Sequence, residues 1–457
     1  MRCFFVPKTK NMKLLFQNAT IITAGTSRVS DLLVADGKIE KIGKGLPVPD
    51  DCEVIDATGK LLTYGLCDVH VHFRVPGRPD KETILTGSQA AAAGGYTTVC
   101  TMPNLDPCPD TLEHLAEQQQ LIDEAGLIDV LPYATLTVGR KGFVPVDMAA
   151  LKPHVVAFSD DGSGIQDRGV MQQLMEQAVR EDVIVAAHCE DNSLLHGGYI
   201  HAGRYAEAHG HRGIVSESEW GQIARDLEVA KETGCRYHVC HISTRESVEV
   251  IRKYKAQGVR VTCETAPHYL TLCEDDLREE GRFKMNPPLR SAGDRTALLE
   301  GLCDGTIDCI ATDHAPHTAE EKGRGLANSP FGIVGLETSF AVLYTHLVLK
   351  GIISLERLVE LMNDAPRRAF RISGKLAEGE PADLALFDIE NEYQIDSKEF
   401  KSKGKATPFD GWTVKGRCVM TVKAGYRLQG TVNRDCRDAV YRVSIGGGHG
   451  VPRLHKG

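Results

Sequence analysis

The chain has 457 residues, which is enough for one large domain and a smaller second one. Its formal net charge of −9 argues against a nucleic-acid-binding surface, and no apolar stretch is long enough to span a bilayer. None of the 14 cysteines forms a Cys-x-x-Cys pair, and several lie in apolar, strand-like runs. The sequence therefore predicts a globular protein of a reducing cytoplasm that binds neither nucleic acid nor membrane.

Strand-like segments with tight turns occupy both ends of the chain. Residues 12–60 contain short strands on either side of a turn at Asp36-Gly37. A similar pattern returns at Ala382–Phe387 and Val419–Val422. We therefore predict one small β-sandwich domain that combines residues 12–60 with residues 378–430.

Two terminal segments fall outside this pattern. Residues 1–11 precede a second possible start at Met12 and are predicted to be an N-terminal extension. Residues 431–457 show no clear periodicity and contain three consecutive glycines, 446–448. We predict that this second segment is a flexible C-terminal extension.

Eight apolar, strand-like runs alternate with helical stretches in the middle of the chain. They are Leu61–His72, Tyr96–Met102, Asp129–Leu136, Val155–Ser159, Val183–His188, Tyr237–Ile242, Val259–Glu264 and Ile307–Thr312. Eight strand–helix units match a (β/α)8 barrel of the TIM type, so we predict an α/β fold with a barrel over residues 61–377. A doubly wound sheet would need a glycine-rich phosphate loop after the first strand, and the sequence has none there.

Polar residues follow six of these strands, at the carboxyl ends where barrel enzymes build their active sites. The first strand ends in His70 and His72, whose side chains point the same way because strand residues alternate between faces. Four further candidate metal ligands follow later strands: Asp161, His188, His241 and Asp313. Each alone has an ordinary structural interpretation, but six together would be poorly satisfied without a cation. Six N/O ligands suit two metal ions better than one tetrahedral zinc.

These residues lie in motifs through which the chain resembles the type I dihydroorotases of the amidohydrolase superfamily, over residues 12–427. The motifs are Asp68–Arg74, Thr101–Asn104, Phe158–Gly162, His188–Asp191, Cys240–Thr244, Lys284–Arg290, Ala311–His317 and Pro330–Thr338. The resemblance implies that His70, His72 and Asp313 hold the more buried of two zinc ions. His188 and His241 would hold the other ion. Asp161 would join both, at a position where many relatives use a carbamylated lysine.

The resemblance also implies a substrate and a mechanism. The substrate-binding residues would be Arg74, Asn104 and His317 around a carboxylate, and Asn286, Phe331 and Gly332 along the ring amide edge. The reaction would be the reversible cyclisation of N-carbamoyl-L-aspartate to (S)-dihydroorotate plus water, the third step of de novo pyrimidine (UMP) biosynthesis. A metal-bound hydroxide would attack the ring carbonyl, and Asp313 would be the catalytic acid/base.

Two alternative functions remain open at the level of sequence. A hydantoinase or allantoinase shares the barrel and the His-x-His motif, but its neutral ring would give a buried Arg74 nothing to pair with. A non-catalytic partner of aspartate transcarbamoylase should have lost metal ligands, whereas all six are present. The resemblance implies a homodimer, and an association with aspartate transcarbamoylase is possible. Residues 317–331, rich in Glu, Lys and Gly, are predicted to form a mobile lid.

Overall fold

A computed structural model describes residues 13–23 and 25–428, which form a parallel barrel and a β-rich unit. This is the fold class that the sequence predicts. The predicted extensions, residues 1–11 and 431–457, lie outside the described residues. No helix in the part of the chain that the structure describes could cross a bilayer.

The strands fall in three groups along the chain. The first group is β1 (Lys13–Thr23), β2 (Thr26–Ala35), β3 (Lys38–Gly43), β4 (Cys52–Asp56) and β5 (Lys60–Tyr64). The second is β6 (Leu66–Val71), β7 (Tyr96–Thr101), β8 (Asp129–Pro132), β9 (Ile184–Ala187), β10 (Ile200–His201), β11 (Gly213–Ile214), β12 (Arg236–Val239), β13 (Val261–Thr265) and β14 (Cys309–Ile310). The third is β15 (Leu384–Asp388), β16 (Tyr393–Gln394), β17 (Thr413–Val414), β18 (Arg417–Lys423) and β19 (Tyr426–Arg427).

The two ends of the chain share one sheet with the strand order β19-β18-β15-β5-β1-β2-β3, and β4 pairs with β1. The turn between β2 and β3 has positive φ at both Asp36 (51°) and Gly37 (76°), the conformation that two-residue hairpins favour. Ile39 and Val422, from opposite ends of the sheet, lie in the same hydrophobic cluster. The sheet therefore wraps around a single core, and this is how both chain ends form one β unit.

The barrel strands pair in parallel as β6-β7-β8 and β9-β12-β13-β14. Phe158 takes the fourth position and bridges Ala134 to Val185, and a bridge from Val71 to His314 closes the barrel. The predicted strand Val155–Ser159 is thus reduced to isolated bridges. One reason is that Pro132 accepts a hydrogen bond from Val156 but has no N–H to donate in return.

The apolar run predicted as a single strand, Leu61–His72, contains two strands. β5 pairs with β15 in the wrapped sheet, whereas β6 begins the barrel. Gly65 separates them, and a Cβ there would lie 2.1 Å from Thr97 Cγ2, so the neighbouring strand leaves room only for glycine. The predicted domain limits, 12–60 with 378–430 and 61–377, remain a prediction, and this pairing favours a boundary at Gly65.

The helices cover the barrel and the loops above it. They are α1 (Ile84–Ala93), α2 (Leu112–Ala125), α3 (Met148–Leu151), α4 (Arg168–Glu181), α5 (Arg204–His209), α6 (Glu217–Thr233), α7 (Arg245–Ala256), α8 (Pro267–Thr271), α9 (Ala292–Cys303), α10 (Ala319–Lys322), α11 (Gly325–Asn328), α12 (Ser339–Leu343), α13 (Leu355–Val359) and α14 (Ala365–Phe370). Threonine hydroxyls cap three of the helices that follow barrel strands: Thr83 caps α1, Thr111 caps α2 and Thr244 caps α7. These caps fix where each strand-to-helix loop ends.

Candidate active site

The six predicted metal-binding residues converge at the carboxyl-terminal mouth of the barrel, and all six are buried. His70 lies in β6 and His72 directly follows it, while the others follow later strand positions: Asp161 after Phe158, His188 after β9, His241 after β12 and Asp313 after β14. The strands therefore place the cluster, because each contributes the residue at its end. Their role as ligands stays a prediction.

Asp161 lies at the centre of this cluster. Its Oδ1 lies 3.4 Å from His70 Nε2, 3.7 Å from His241 Nε2 and 4.0 Å from His188 Nδ1. Its Oδ2 lies 3.6 Å from His72 Nε2. Asp161 Oδ1 and His70 Nε2 are buried and have no hydrogen-bond partner. Buried polar atoms without partners are costly, so these two atoms are placed for a group that binds both.

Asp313 lies on the other side of His70 and His72. Its Oδ1 is 3.0 Å from His72 Nε2 and 3.5 Å from His70 Nε2. Burial alone would raise the pKa of Asp313, but its close contact with His72 and the charge of nearby histidines hold it well below its usual range. Asp313, His241 and Arg74 have positive φ values of 48°, 33° and 60°. Such backbone angles are strained for residues other than glycine, and strained residues are concentrated at functional sites.

The donor set suits a divalent-metal centre. Three groups of possible ligands among the described residues share His70, and two of them consist entirely of predicted metal-binding residues: one also contains His72 and Asp313, and the other contains Asp161 and His241. Within each group the ligand atoms lie within 4.8 Å of one another. His188 Nδ1 lies 3.0 Å from His241 Nε2, at the edge of the second group. Imidazole nitrogens with carboxylate oxygens suit zinc and similar transition metals.

A buried chain of side chains orients His70 from behind. His70 Nδ1 lies 2.6 Å from Glu264 Oε1, and Glu264 Oε2 lies 3.1 Å from His238 Nε2. Burial would raise the pKa of Glu264, but the charge of His70 outweighs it and lowers the value to about 2. A carboxylate behind a ligand histidine fixes its ring and tautomer. Sequence reasoning missed Glu264, although a charged residue in the apolar strand β13 was a visible signal.

Arg74 carries a positive charge beside the cluster. Its Nε donates to the carbonyl of Pro316 at 3.3 Å, and its Nη2 lies 3.5 Å from His317 Nε2. No carboxylate within residues 13–23 and 25–428 forms an ion pair with it. Burial lowers the pKa of Arg74 to about 10, so the guanidinium remains charged at neutral pH.

His317 is held as a neutral ring. Its Nε2 donates to the carbonyl of Phe331 at 2.7 Å, and its Nδ1 accepts from Lys81 Nζ at 2.9 Å. Burial and the neighbouring charges of Arg74, Lys81 and Lys322 lower its pKa to about 3. Both ring nitrogens are therefore occupied within the protein, and the predicted contact with a substrate carboxylate would require one of these bonds to be exchanged.

The two asparagines predicted to bind the substrate differ in their contacts. Asn104 Oδ1 accepts from His72 Nδ1 at 2.8 Å, so this residue supports a candidate ligand. Asn286 Nδ2 donates to Glu190 Oε1 at 2.9 Å. Asn286 Oδ1 is buried and has no partner, which leaves it free to accept a hydrogen bond from a bound molecule.

The backbone groups of Phe331 and Gly332, which are predicted to contact the substrate, also form hydrogen bonds within the protein. Gly332 N–H donates to Lys284 O at 3.1 Å. Lys322 Nζ donates to the carbonyls of Gly332 at 2.7 Å, Pro330 at 2.9 Å and Lys284 at 3.0 Å. The segment predicted as a mobile lid thus contains α10 and α11 and is tied to the loop before α9 by a buried lysine.

Three polar residues of the site besides Glu264 escaped sequence reasoning. Lys81 and Glu190 contact predicted substrate residues, and both lie in or beside motifs that were already recognised. His268, at the start of α8, is buried with an unpartnered Nε2. Burial, opposed in part by the charge of Asp313, lowers the pKa of His268 to about 4, so its ring is neutral. A lone histidine after β13 carries no sequence signal that separates it from a core residue.

A closed parallel barrel with four histidines and two aspartates at its mouth defines a metal-dependent cyclic amidohydrolase. Residues 59–247 match the family model described as Dihydro-orotase-like. The dihydroorotases of Bacillus cytotoxicus and Bacillus cereus (strain B4264) are each 50% identical to this chain over 418 residues, covering 91% of it and 97% of each relative. The chain belongs to the dihydroorotase family.

Solved structures with the same fold carry other names. The L-hydantoinase (dihydropyrimidinase) from Arthrobacter aurescens aligns with a TM-score of 0.82 and 28% identity, covering 92% of this chain and 96% of that one. The D-hydantoinase (dihydropyrimidinase) from Thermus sp. has a TM-score of 0.76 and 27% identity, covering 91% and 94%. The barrel is thus shared between enzymes with different names, and the substrate must be argued from the site.

Proposed function

We propose that this chain catalyses the reversible cyclisation of N-carbamoyl-L-aspartate to (S)-dihydroorotate and water, the third step of de novo pyrimidine biosynthesis. The observation that carries the proposal is Arg74, a half-buried guanidinium that forms no ion pair with a carboxylate of the described residues. A charge that is partly withdrawn from water is stabilised by an opposite charge, and the carboxylate of dihydroorotate would supply it. Identity of 50% to two dihydroorotases over 91% of the chain supports the same substrate.

The proposed cofactor is a pair of zinc ions. His70, His72 and Asp313 would hold one ion, His188 and His241 the other, and Asp161 would join both. Support comes from the unpartnered Nε2 of His70 and Oδ1 of Asp161, which lie 3.4 Å apart. When bound, divalent ions polarise a carbonyl and lower the pKa of water, which makes hydrolysis possible near neutral pH.

Asp313 is the proposed acid/base. In ring opening, its carboxylate takes a proton from the attacking water and delivers it to the ring nitrogen as the C–N bond breaks. In ring closure, it removes the proton from the carbamoyl nitrogen and returns it to the departing oxygen. The Asp313 carboxylate is ionised at neutral pH and can therefore accept a proton at the start of each ring opening.

The remaining side chains orient the substrate. Arg74 would pair with the substrate carboxylate, and His317 Nε2, 3.5 Å from Arg74 Nη2, is close enough to contact the same group. Asn104 would join them. Asn286 Oδ1 is the proposed acceptor for a ring N–H, with Phe331 and Gly332 along the same edge.

We further propose that the enzyme acts in the cytoplasm as a homodimer and that it can associate with aspartate transcarbamoylase. The cysteines of the described residues are all free, which supports a reducing compartment. The homodimer follows from the resemblance to type I dihydroorotases. Analytical ultracentrifugation of the chain alone, and mixed with aspartate transcarbamoylase, tests both associations.

The test of the function is a substrate panel with metal analysis. The purified chain is assayed on dihydroorotate, dihydrouracil and allantoin, and its bound metals are measured in the same preparation. We expect kcat/KM for dihydroorotate to exceed that for dihydrouracil by about 100-fold, because a charge-assisted bond contributes roughly 1.5–3 kcal/mol. Preference for a ring without a carboxylate would favour a hydantoinase and contradict the proposal.

A further inference from the structure

Lys81 lies on the loop after β6, the same loop that carries Arg74, and its side chain is buried. Its Nζ lies 2.9 Å from His317 Nδ1 and 3.0 Å from Glu321 Oε1. Lys81 therefore connects the loop after the first barrel strand to the loop after the last one. It does not touch the six residues of the metal cluster.

The contacts of His317 determine which nitrogen carries its hydrogen. Nε2 lies 2.7 Å from the carbonyl oxygen of Phe331, and a carbonyl can only accept, so Nε2 must donate. The ring is neutral, because burial and three surrounding cations lower its pKa. A neutral imidazole has one N–H, so Nδ1 carries a lone pair, and the ammonium of Lys81 donates to it.

The N–H of His317 is placed next to the guanidinium of Arg74, since Nε2 and Nη2 lie 3.5 Å apart. A carboxylate that binds Arg74 thus meets a second donor only if His317 keeps its hydrogen on Nε2. We propose that Lys81 is a positioning residue that holds His317 in this tautomer and thereby makes the site selective for a carboxylate-bearing ring. This inference rests on the proposed function, because it assumes a substrate carboxylate at Arg74.

The contacts of Glu321 explain why the ammonium of Lys81 is needed beside His317 Nδ1. Its Oε2 lies 3.4 Å from His317 Nδ1 and accepts from the backbone N–H of Thr318 at 3.1 Å. Without the ammonium of Lys81, the nearest polar group to Nδ1 is this acceptor, which favours a hydrogen on Nδ1. The lone pair would then sit on Nε2 and face both the carbonyl of Phe331 and the incoming carboxylate, and both contacts are repulsive.

The kinetic test uses Lys81→Met, with Lys81→Arg as the conservative variant. We expect Lys81→Met to raise the KM for dihydroorotate about 10-fold, the value of one hydrogen bond to a charged group, and to change kcat less than about 3-fold. Lys81→Arg retains a charged donor and should restore most of the affinity. Lys152→Met is the matched control, because it removes an exposed lysine whose ion pair with Glu181, at 2.8 Å, has no part in the site, and KM should stay within about 2-fold.

A double-mutant cycle separates positioning from a direct effect of the lysine charge. In the His317→Ala background, Lys81→Met should change KM less than about 2-fold, because the residue through which it acts is gone. An undiminished 10-fold effect in that background would overturn the proposal. If instead the unmodified chain shows no activity on dihydroorotate, the proposed function itself is refuted.

A spectroscopic measurement decides the tautomer even if Lys81→Met fails to fold. Nitrogen-15 NMR of the histidine-labelled, unmodified protein identifies His317 by the signal that is lost in His317→Ala. We expect a protonated Nε2 and an unprotonated Nδ1. A ring with its hydrogen on Nδ1, or with both nitrogens protonated at neutral pH, would overturn the inference.

Discussion

The two halves of the site are built in different ways. The candidate metal cluster, here called the strand half, lies on strand ends, and its central atoms, Asp161 Oδ1 and His70 Nε2, have no hydrogen-bond partners among the described residues. The substrate half lies on loops, and its polar groups are mostly bonded to one another: His317 to Phe331 and Lys81, and Gly332 to Lys322. Within the part of the chain that the structure describes, the strand half therefore leaves its two central atoms without partners, whereas most polar groups of the loop half already have one. The exceptions in the loop half are Asn286 Oδ1 and the guanidinium of Arg74, which has no carboxylate partner among the described residues.

This difference indicates how a substrate would be accommodated. A carboxylate at Arg74 can take the N–H of His317 only if His317 releases the carbonyl of Phe331, 2.7 Å away. The released carbonyl can then accept from a ring N–H of the same substrate. Binding would thus exchange hydrogen bonds one for one, which favours a ring that offers both an anion and an N–H. A neutral ring without the anion would leave the exchange incomplete.

The strongest perturbation of the strand half is Asp313→Asn. We expect kcat for both directions of the reaction to fall by about 10²–10⁴-fold, the usual contribution of a general acid/base, while much of the metal stays bound. The matched control is Asp308→Asn at the opposite end of β14, where the carboxylate accepts from Lys255 at 2.6 Å. A near-normal rate in Asp313→Asn would remove the acid/base assignment.

Arg74→Met perturbs the loop half most strongly. KM for dihydroorotate should rise by about 10–100-fold, since a charge-assisted pair of bonds is lost, and metal content should not change. Arg78→Met removes an arginine of the same loop that pairs with exposed Asp80 at 2.7 Å, and its KM should stay within about 2-fold. An unchanged KM in Arg74→Met would show that the substrate carboxylate binds elsewhere.

A smaller effect is expected from Gly332→Ala, which perturbs the loop half without changing any charge. Gly332 has φ +125°, and a Cβ there would lie 2.6 Å from Ala315 O and 3.1 Å from His317 Nε2. We expect a loss of roughly 1–3 kcal/mol in stability and a several-fold rise in KM, measured by thermal unfolding and steady-state kinetics. Gly351→Ala is the control: φ is +71° but no atom lies within 4 Å, so KM should not change.

The strand half was largely predictable from sequence. Each candidate ligand follows an apolar run, and the carboxyl ends of parallel strands converge, so His188 and His241 could be placed together although they are 53 positions apart. The exception was the break at Gly65 between β5 and β6. Nothing in a continuous apolar run shows that its first half pairs with β15, because that contact joins residues more than 300 positions apart.

For the loop half, the sequence predicted which residues belong to the site but not which contacts they make. Motifs pointed to Arg74, His317 and Asn286, yet the sequence could not show that His317 bonds Phe331 and Lys81. Loop contacts depend on side-chain geometry rather than on a repeating backbone pattern, so spacing carries no signal for them. The same reason explains why Lys81 went unrecognised.

The most direct test is a structure of the enzyme with dihydroorotate bound. The account predicts that the substrate carboxylate lies within about 3 Å of an Arg74 nitrogen and of His317 Nε2, and that Phe331 O has left His317 for a ring N–H. A carboxylate bound away from Arg74, or a His317–Phe331 bond that persists at 2.7 Å beside the bound substrate, would contradict it.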